Sequence, residues 1–285
     1  MTNKSNENTA FASEQGDKLL TFDKPLVMGI INLTPDSFYD GGRYGSLKAV
    51  MQDAEEKIRQ GADILDLGAA SSRPGAEELT EKEEWKRLEP ALKEIRKQFP
   101  LCTISVDTFR ARIAEKSAAA GANMINDISG GNADAEMFKT MARLQLPYVL
   151  MHMQGTPKTM QNQPSYSDVV NEIRLFFEEK SRALNALGFH QLILDPGFGF
   201  GKTLEHNYLL LKHLSVFSDL GYPLLAGLSR KSMINQVIGS NPVTALNGTT
   251  VLNSIALMNG ASVLRVHDVK EAKQAVELVS YYKKA

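Results

Sequence analysis

Short apolar runs rich in β-branched residues recur along this chain, and each breaks on polar residues at its downstream end. The runs lie near residues 26–33, 63–68, 103–108, 124–129, 148–152, 191–195, 223–228 and 263–267. Asn32, Asp66, Asp107, Asn126 with Asp127, His152, Asp195, Arg230 with Lys231, and His267 mark their exits. Apolar strands do not readily hold charge in a core, so polar groups repeated at exit ends point to one shared mouth.

Between the strand-like runs the apolar period changes to that of a helix. Val50, Ala54, Ile58 and Ala62 recur at helical spacing, and Gly61 supplies a stop. Trp85, Leu88, Leu92 and Ile95 share one face of 81–99, which makes the single tryptophan a core residue rather than a cofactor platform. Residues 168–188, ended by Gly188, and 270–282 are further amphipathic stretches. The alternation predicts an α/β fold, a (β/α)8 TIM barrel in one domain over 18–285. The segment KLLTFDKP is expected to form a short strand or hairpin that plugs the barrel base, and the polar stretch 1–17 to be a disordered tail. A doubly wound sheet is the competing topology, but NLTPDSF follows the first strand where a GxGxxG turn would be needed.

A chain of 285 residues buries roughly 75% of its unfolded surface. Its 33 acids and 32 bases balance, which argues against nucleic acid as a main partner. The one cysteine, Cys102, permits no internal disulfide and reads as a small core residue. CxxC and HExxH are absent, so no dedicated zinc site is expected. No apolar run reaches the roughly 18 residues of a membrane helix. The N-terminus lacks an apolar h-region, and by elimination a cytoplasmic protein without membrane partners is expected.

The segment DPGFGFGKT imitates a phosphate-binding P-loop, but Pro196 stands where its first glycine belongs. Proline has no N–H to donate there. Gly197, Gly199 and Gly201 still permit tight backbone paths beside a ligand, and Lys202 is read as facing solvent.

The motifs GIINLTPDSFYDGG, DLGAASSRPGA, SVDT, INDISG, LMHMQGTPKTMQ, LDPGFGFGK, LAGLSRKS and RVHDV, in this order, resemble the dihydropteroate synthase family over about residues 25–283. Each falls at the expected strand exit. The resemblance implies transfer of a pterinylmethyl group from 6-hydroxymethyl-7,8-dihydropterin pyrophosphate to p-aminobenzoate, with release of diphosphate. It implies pterin binding by Asp107, Asn126, Met151, Asp195, Phe200, Gly227 and Lys231. It implies diphosphate binding by Asn32, Arg73, Arg265 and His267, with Asn32 also near Mg²⁺. Thr34, Phe38, Ser71, Ser72, Arg73, Pro74 and Ser232 are implied for p-aminobenzoate, with Pro35 and Asp36 in the first of two mobile loops. Catalysis would rest on Arg265, His267, Lys231 and Asp107. The family is a sulfonamide target, and many of its members are homodimers.

The residue types fit that chemistry. A strand-end carboxylate accepts N–H bonds from a pterin edge, though a helix cap or loop anchor is the plain reading of any such aspartate. For Asp66 and Asp127 the anchoring role weighs as much as a ligand contact. Arg265 and His267 alternate on the last strand and point the same way, as an anion site requires. Arg230 is read as a guanidinium able to cover one ring face. One departure stands out: Ala70 occupies the place where the family commonly carries Glu, while Arg73, Pro74 and Gly75 are kept. A methyltetrahydrofolate methyltransferase or a catalytically silent pterin-binding protein are the alternatives, and the Arg-x-His pair disfavours the first.

Overall fold

The structure, a computed structural model, describes residues 10–11, 20–33, 43–69, 79–156, 160 and 164–285, with the backbone alone at 10 and 43–46. Eight parallel strands form the barrel: β3 (Leu26–Asn32), β4 (Ile64–Gly68), β5 (Thr103–Asp107), β6 (Met124–Asp127), β7 (Tyr148–Met151), β8 (Leu192–Asp195), β9 (Leu225–Ala226) and β10 (Val263–Val266). Their order is β8-β7-β6-β5-β4-β3-β10-β9, and a parallel bridge between Leu194 and Leu224 brings β8 back beside β9. The expected (β/α)8 barrel is therefore the observed fold. The seventh strand is shorter than the run 223–228 predicts. Pro223 lacks an N–H for the ladder, although its carbonyl still accepts from Leu194 N at 2.9 Å.

Helices α1 (Arg43–Arg59), α2 (Glu81–Gln98), α3 (Ala111–Ala119), α4 (Met137–Leu144), α5 (Val169–Ala186), α6 (Leu204–Lys212), α7 (Ser232–Ile238), α8 (Leu246–Met258) and α9 (Val269–Tyr282) alternate with the strands, with a 3-10 turn at Leu214–Leu220. Local chemistry sets their limits. Thr80 caps α2 and Glu83 returns the bond to the Thr80 backbone, a reciprocal capping box. Asp168 accepts from Val170 N and Asn171 N at the start of α5. The buried faces follow the apolar period: Leu88, Ala91, Leu92 and Ile95 on α2, and Ile173, Phe177 and Leu184 on α5. Trp85 packs partly buried against this outer core.

The barrel base has its own small core. Met28, Ile64, Met124, Val149, Ile193, Leu225 and Val263 enclose Phe11, which is buried. Phe11 is held there by a hairpin in which β1 (Ala10–Phe11) pairs antiparallel with β2 (Leu20–Thr21). The Phe22 ring meets it edge-on, 5.3 Å between centroids. The expected base plug is present, and its partner strand comes from inside the stretch 1–17. A lone aromatic in a polar stretch gives little periodic signal.

With the base closed by apolar side chains, the polar residues of the same strands are left to the exit end.

Candidate active site at the barrel mouth

Arg265 on β10 spans the mouth. Its Nε donates to Asp66 Oδ2 at 2.7 Å and its Nη2 to Asp107 Oδ2 at 3.0 Å. Asn126 Nδ2 donates to the same Asp66 oxygen at 3.0 Å. Four strands thereby place one cation, two carboxylates and an amide in one connected layer. Burial works against the guanidinium's charge, but the two facing carboxylates outweigh it and raise its pKa. Burial also pushes Asp107 up to about 7, opposed by Arg265 and reinforced by Asp66. Asp66 Oδ1 and Ser105 Oγ, in register across β4 and β5, are buried with no hydrogen-bond partner among the described residues. This wall therefore keeps polar capacity that the described residues do not use.

Asp195 ends β8 on the opposite side. Its Oδ1 accepts Gly197 N at 2.8 Å, and its Oδ2 meets no donor among the described residues. Burial raises its pKa, with Lys231 as the main opposing charge. Gly227 shows how tightly the mouth closes. A Cβ added there would lie 3.7 Å from Lys231 Nζ, 4.0 Å from Arg265 Cβ and 4.0 Å from Asp195 Oδ2. Asp195, Lys231 and Arg265 thus converge around one glycine. Lys231 Nζ donates to Phe198 O and lies 4.8 Å from the centroid of the Phe200 ring. Burial lowers its pKa to about 8. Met151, in register with Asp195, is buried beside it.

His267 follows Arg265 at the rim, exposed on one side. Its Nδ1 lies 3.0 Å from Ser229 Oγ, and its backbone N–H donates to the same oxygen at 3.2 Å. The desolvated edge of the ring, with Arg265 and Arg230 nearby, lowers its pKa to about 4, so it is neutral near pH 7. Asn32 ends β3, in register with Gly68, and is exposed. Ser232 opens α7, also exposed.

Two readings change, and one left open is decided. Lys202 does not face solvent: it is 4% exposed, with Nζ 2.9 Å from Phe200 O, 3.3 Å from His152 O and 3.1 Å from His152 Nδ1. Burial lowers its pKa to about 7. The turns after β7 and β8 touch too closely to leave it an outward path; a Cβ at Gly197 would sit 2.0 Å from His152 O. Arg230 does not cover a ring face. It takes a left-handed φ of 59° and turns away to pair with both oxygens of Asp268, at 2.9 and 2.6 Å. Asp127 is a loop anchor, accepting from Ser129, Gly131 N and Tyr148 Oη.

One group escaped the sequence reading. Glu84 is 1% exposed, accepts from Thr108 Oγ1 at 2.7 Å and pairs with Arg110. Arg110 also holds Leu79 O at 2.6 Å, while Arg87 holds Ala69 O at 3.2 Å. Arg87 of α2, and Arg110 held by Glu84 of α2, therefore fix the backbone on both sides of 70–78, and Glu84 ties α2 to the residue after Asp107. The available signal was spacing, since Glu84 stands one turn ahead of Leu88 on the buried stripe.

Thr34, Pro35, Asp36, Phe38, Ala70, Ser71, Ser72, Arg73 and Pro74 lie outside the described residues. No group of three or more His, Cys, Asp or Glu side chains suited to a metal occurs among the described residues. Asn32 offers a single hard oxygen at the mouth, which suits a cation that arrives with phosphate oxygens rather than one held by protein alone.

A family model described as "Pterin binding enzyme" matches residues 28–267. The dihydropteroate synthase of Escherichia coli strain K12 is 45% identical over 262 residues, covering 91% of this chain and 92% of that protein. The crystal structure of Yersinia pestis dihydropteroate synthase with a sulfonamide drug complex superposes with a TM-score of 0.90 at 41% identity, over 97% of this chain and 100% of that one. That of Xanthomonas albilineans dihydropteroate synthase with 4-aminobenzoic acid gives 0.89 at 38% identity, over 97% and 100%.

Proposed function

This chain belongs to the dihydropteroate synthase family of pterin-binding enzymes, and from that premise we propose how its mouth carries the condensation of pterin pyrophosphate with p-aminobenzoate. The observation that supports the site assignment best is the convergence of Asp195, Lys231 and Arg265 on Gly227. A flat bicyclic ring fits a gap that has acceptors on one wall, an ammonium on another and no side chain at its floor. The free oxygen of Asp195 and the amide of Asn126 take the in-plane donors of the pterin. Lys231 donates to its carbonyl, and Met151 and Phe200 cover its faces. Asp107 accepts from the ring where it is ionised.

The amine nitrogen of p-aminobenzoate attacks the exocyclic methylene, the carbon–oxygen bond to diphosphate breaks, and the amine proton passes to solvent. The electron-rich dihydropterin shares positive charge at that carbon, so the protein's main task is the leaving group. Arg265 suits it, because its Nη1 donates to no described residue while Nε and Nη2 hold the fork in place. His267 adds a neutral donor. Asn32 would give one oxygen to Mg²⁺, and the bound ion would neutralise diphosphate charge. We assign p-aminobenzoate to Thr34, Phe38, Ser71, Ser72, Arg73 and Pro74, with Ser232 at the rim. Purified protein with Mg²⁺ and both substrates is expected to release one diphosphate per dihydropteroate formed. No diphosphate above a no-enzyme control would reject the assignment.

The same reading extends to a cytoplasmic homodimer. Among the described residues no helix is long and apolar enough to cross a membrane. Val251, Ile255 and Met258 on α8 and Leu278 and Tyr281 on α9 are exposed, on helices that pack together. Exposed apolar side chains on two helices packed together suit an isologous contact with a second copy. Sedimentation velocity at micromolar concentration is expected to give a dimer, and a monomer for Ile255→Asp. A monomeric parent protein would reject this part.

A further inference from the structure

We propose that Ser229 is a positioning residue that fixes His267 as its Nε2–H tautomer, so that a neutral N–H donor faces the departing diphosphate. The inference rests on the assignment of His267 to diphosphate and names what makes that histidine competent. Ser229 is 6% exposed, and its hydroxyl touches only His267 among the described residues. A hydroxyl carries one proton and two acceptor sites. One acceptor site is filled by the backbone N–H of His267, at 3.2 Å. The remaining question is which partner supplies the proton in the 3.0 Å contact to Nδ1.

If Nδ1 carried it, the serine oxygen would accept twice and its own proton would find no acceptor in a buried place. If Nδ1 is bare, the serine proton goes to it and every group is satisfied. The imidazole proton then sits on Nε2, which contacts no described residue. The tautomer of a histidine is set by the bond its other nitrogen makes. The opposite tautomer would aim a lone pair at an anion. The charges of Arg265, Arg230 and Lys57 act against a proton on the ring, and only Asp268 acts for one. Those cations favour the neutral ring, and a neutral ring needs its single proton on the right nitrogen. The hydroxyl comes from the turn after β9 and the imidazole from the end of β10, so closing the barrel assembles the pair.

The full chain labelled with ¹⁵N-histidine tests this by NMR at pH 7. The His267 signals are identified among the five histidines by their loss in His267→Asn. The parent is expected to show an unprotonated Nδ1 and a protonated Nε2, with inorganic pyrophosphate shifting Nε2. Ser229→Ala should give a mixture of tautomers and about tenfold weaker pyrophosphate binding, while Ser229→Thr should keep both properties. A protonated Nδ1 in the parent, or an undisturbed Nε2–H tautomer in Ser229→Ala, would overturn the inference. A correct tautomer that pyrophosphate leaves unmoved would instead overturn the diphosphate assignment, and with it the role given to Ser229.

Discussion

Arg265→Ala is expected to lower kcat/KM by about a thousandfold or more, the scale seen when a transition-state charge donor is removed, and also to weaken the fold. The two losses share one cause. Arg265 faces Asp66, which is fully buried, and Asp107, and its Nη1 donates to no described residue. Removing one member of a buried pair leaves charge without compensation, a loss of about 3 kcal/mol or more. The pH dependence carries a definite sign. Asp107 is raised by burial to about 7 even with Arg265 opposing the shift. Without the guanidinium its pKa goes higher still. A carboxyl whose folded pKa exceeds its unfolded value binds more protons when folded, so stability falls as pH rises toward the folded pKa. The variant's deficit should therefore be smaller at pH 6 than at pH 8 by urea unfolding. Arg265→Lys should recover part of the stability but little of the rate, because an ammonium cannot form the fork. A variant equally destabilised at both pH values would reject the charge account, and one with near-parent kcat/KM would remove Arg265 from the leaving-group site.

The sequence reveals positions better than it reveals directions. Asp107, Asn126, Asp195 and Arg265 were legible because a strand's exit is marked by where its apolar run stops, and a parallel barrel gathers all its exits. Lys202 and Arg230 were misread because their orientations depend on neighbours far away in the chain. Lys202 is enclosed by the turn at His152, and Arg230 is drawn off by Asp268. Glu84 was not singled out, since nothing local announces Thr108 and Arg110 across the fold. For Asp66 and Asp127, composition left anchor and ligand contact equal. Geometry separates them, because Tyr148, Ser129 and Gly131 saturate Asp127, whereas Asp66 faces Arg265 and keeps one oxygen without a donor among the described residues.

Asp195→Asn is expected to weaken binding of pterin pyrophosphate by about a hundredfold to a thousandfold with the barrel intact, because the site would then meet ring donors with an N–H₂ group. The substitution keeps the shape and one acceptor. The remaining carbonyl can serve Gly197 N, as Oδ1 does now at 2.8 Å, but the amide nitrogen then points where the open oxygen was. A second effect adds to the first. Asp195 is the charge that raises the pKa of both Lys231 and Lys202 against burial. Without it both fall below their present values of about 8 and about 7, so near neutral pH Lys231 spends less time as the ammonium that the pterin carbonyl needs. Lys202 can tolerate losing its proton, since an amine still donates to Phe200 O or His152 O. The damage should thus be confined to the pterin end, and inorganic pyrophosphate should bind the variant as it binds the parent. Calorimetry with the two ligands separates these ends. A dissociation constant for the pterin substrate within about threefold of the parent's would mean that the carboxylate is a turn anchor like Asp127, and the ring would have to be sought on the wall formed by Asp66 and Ser105.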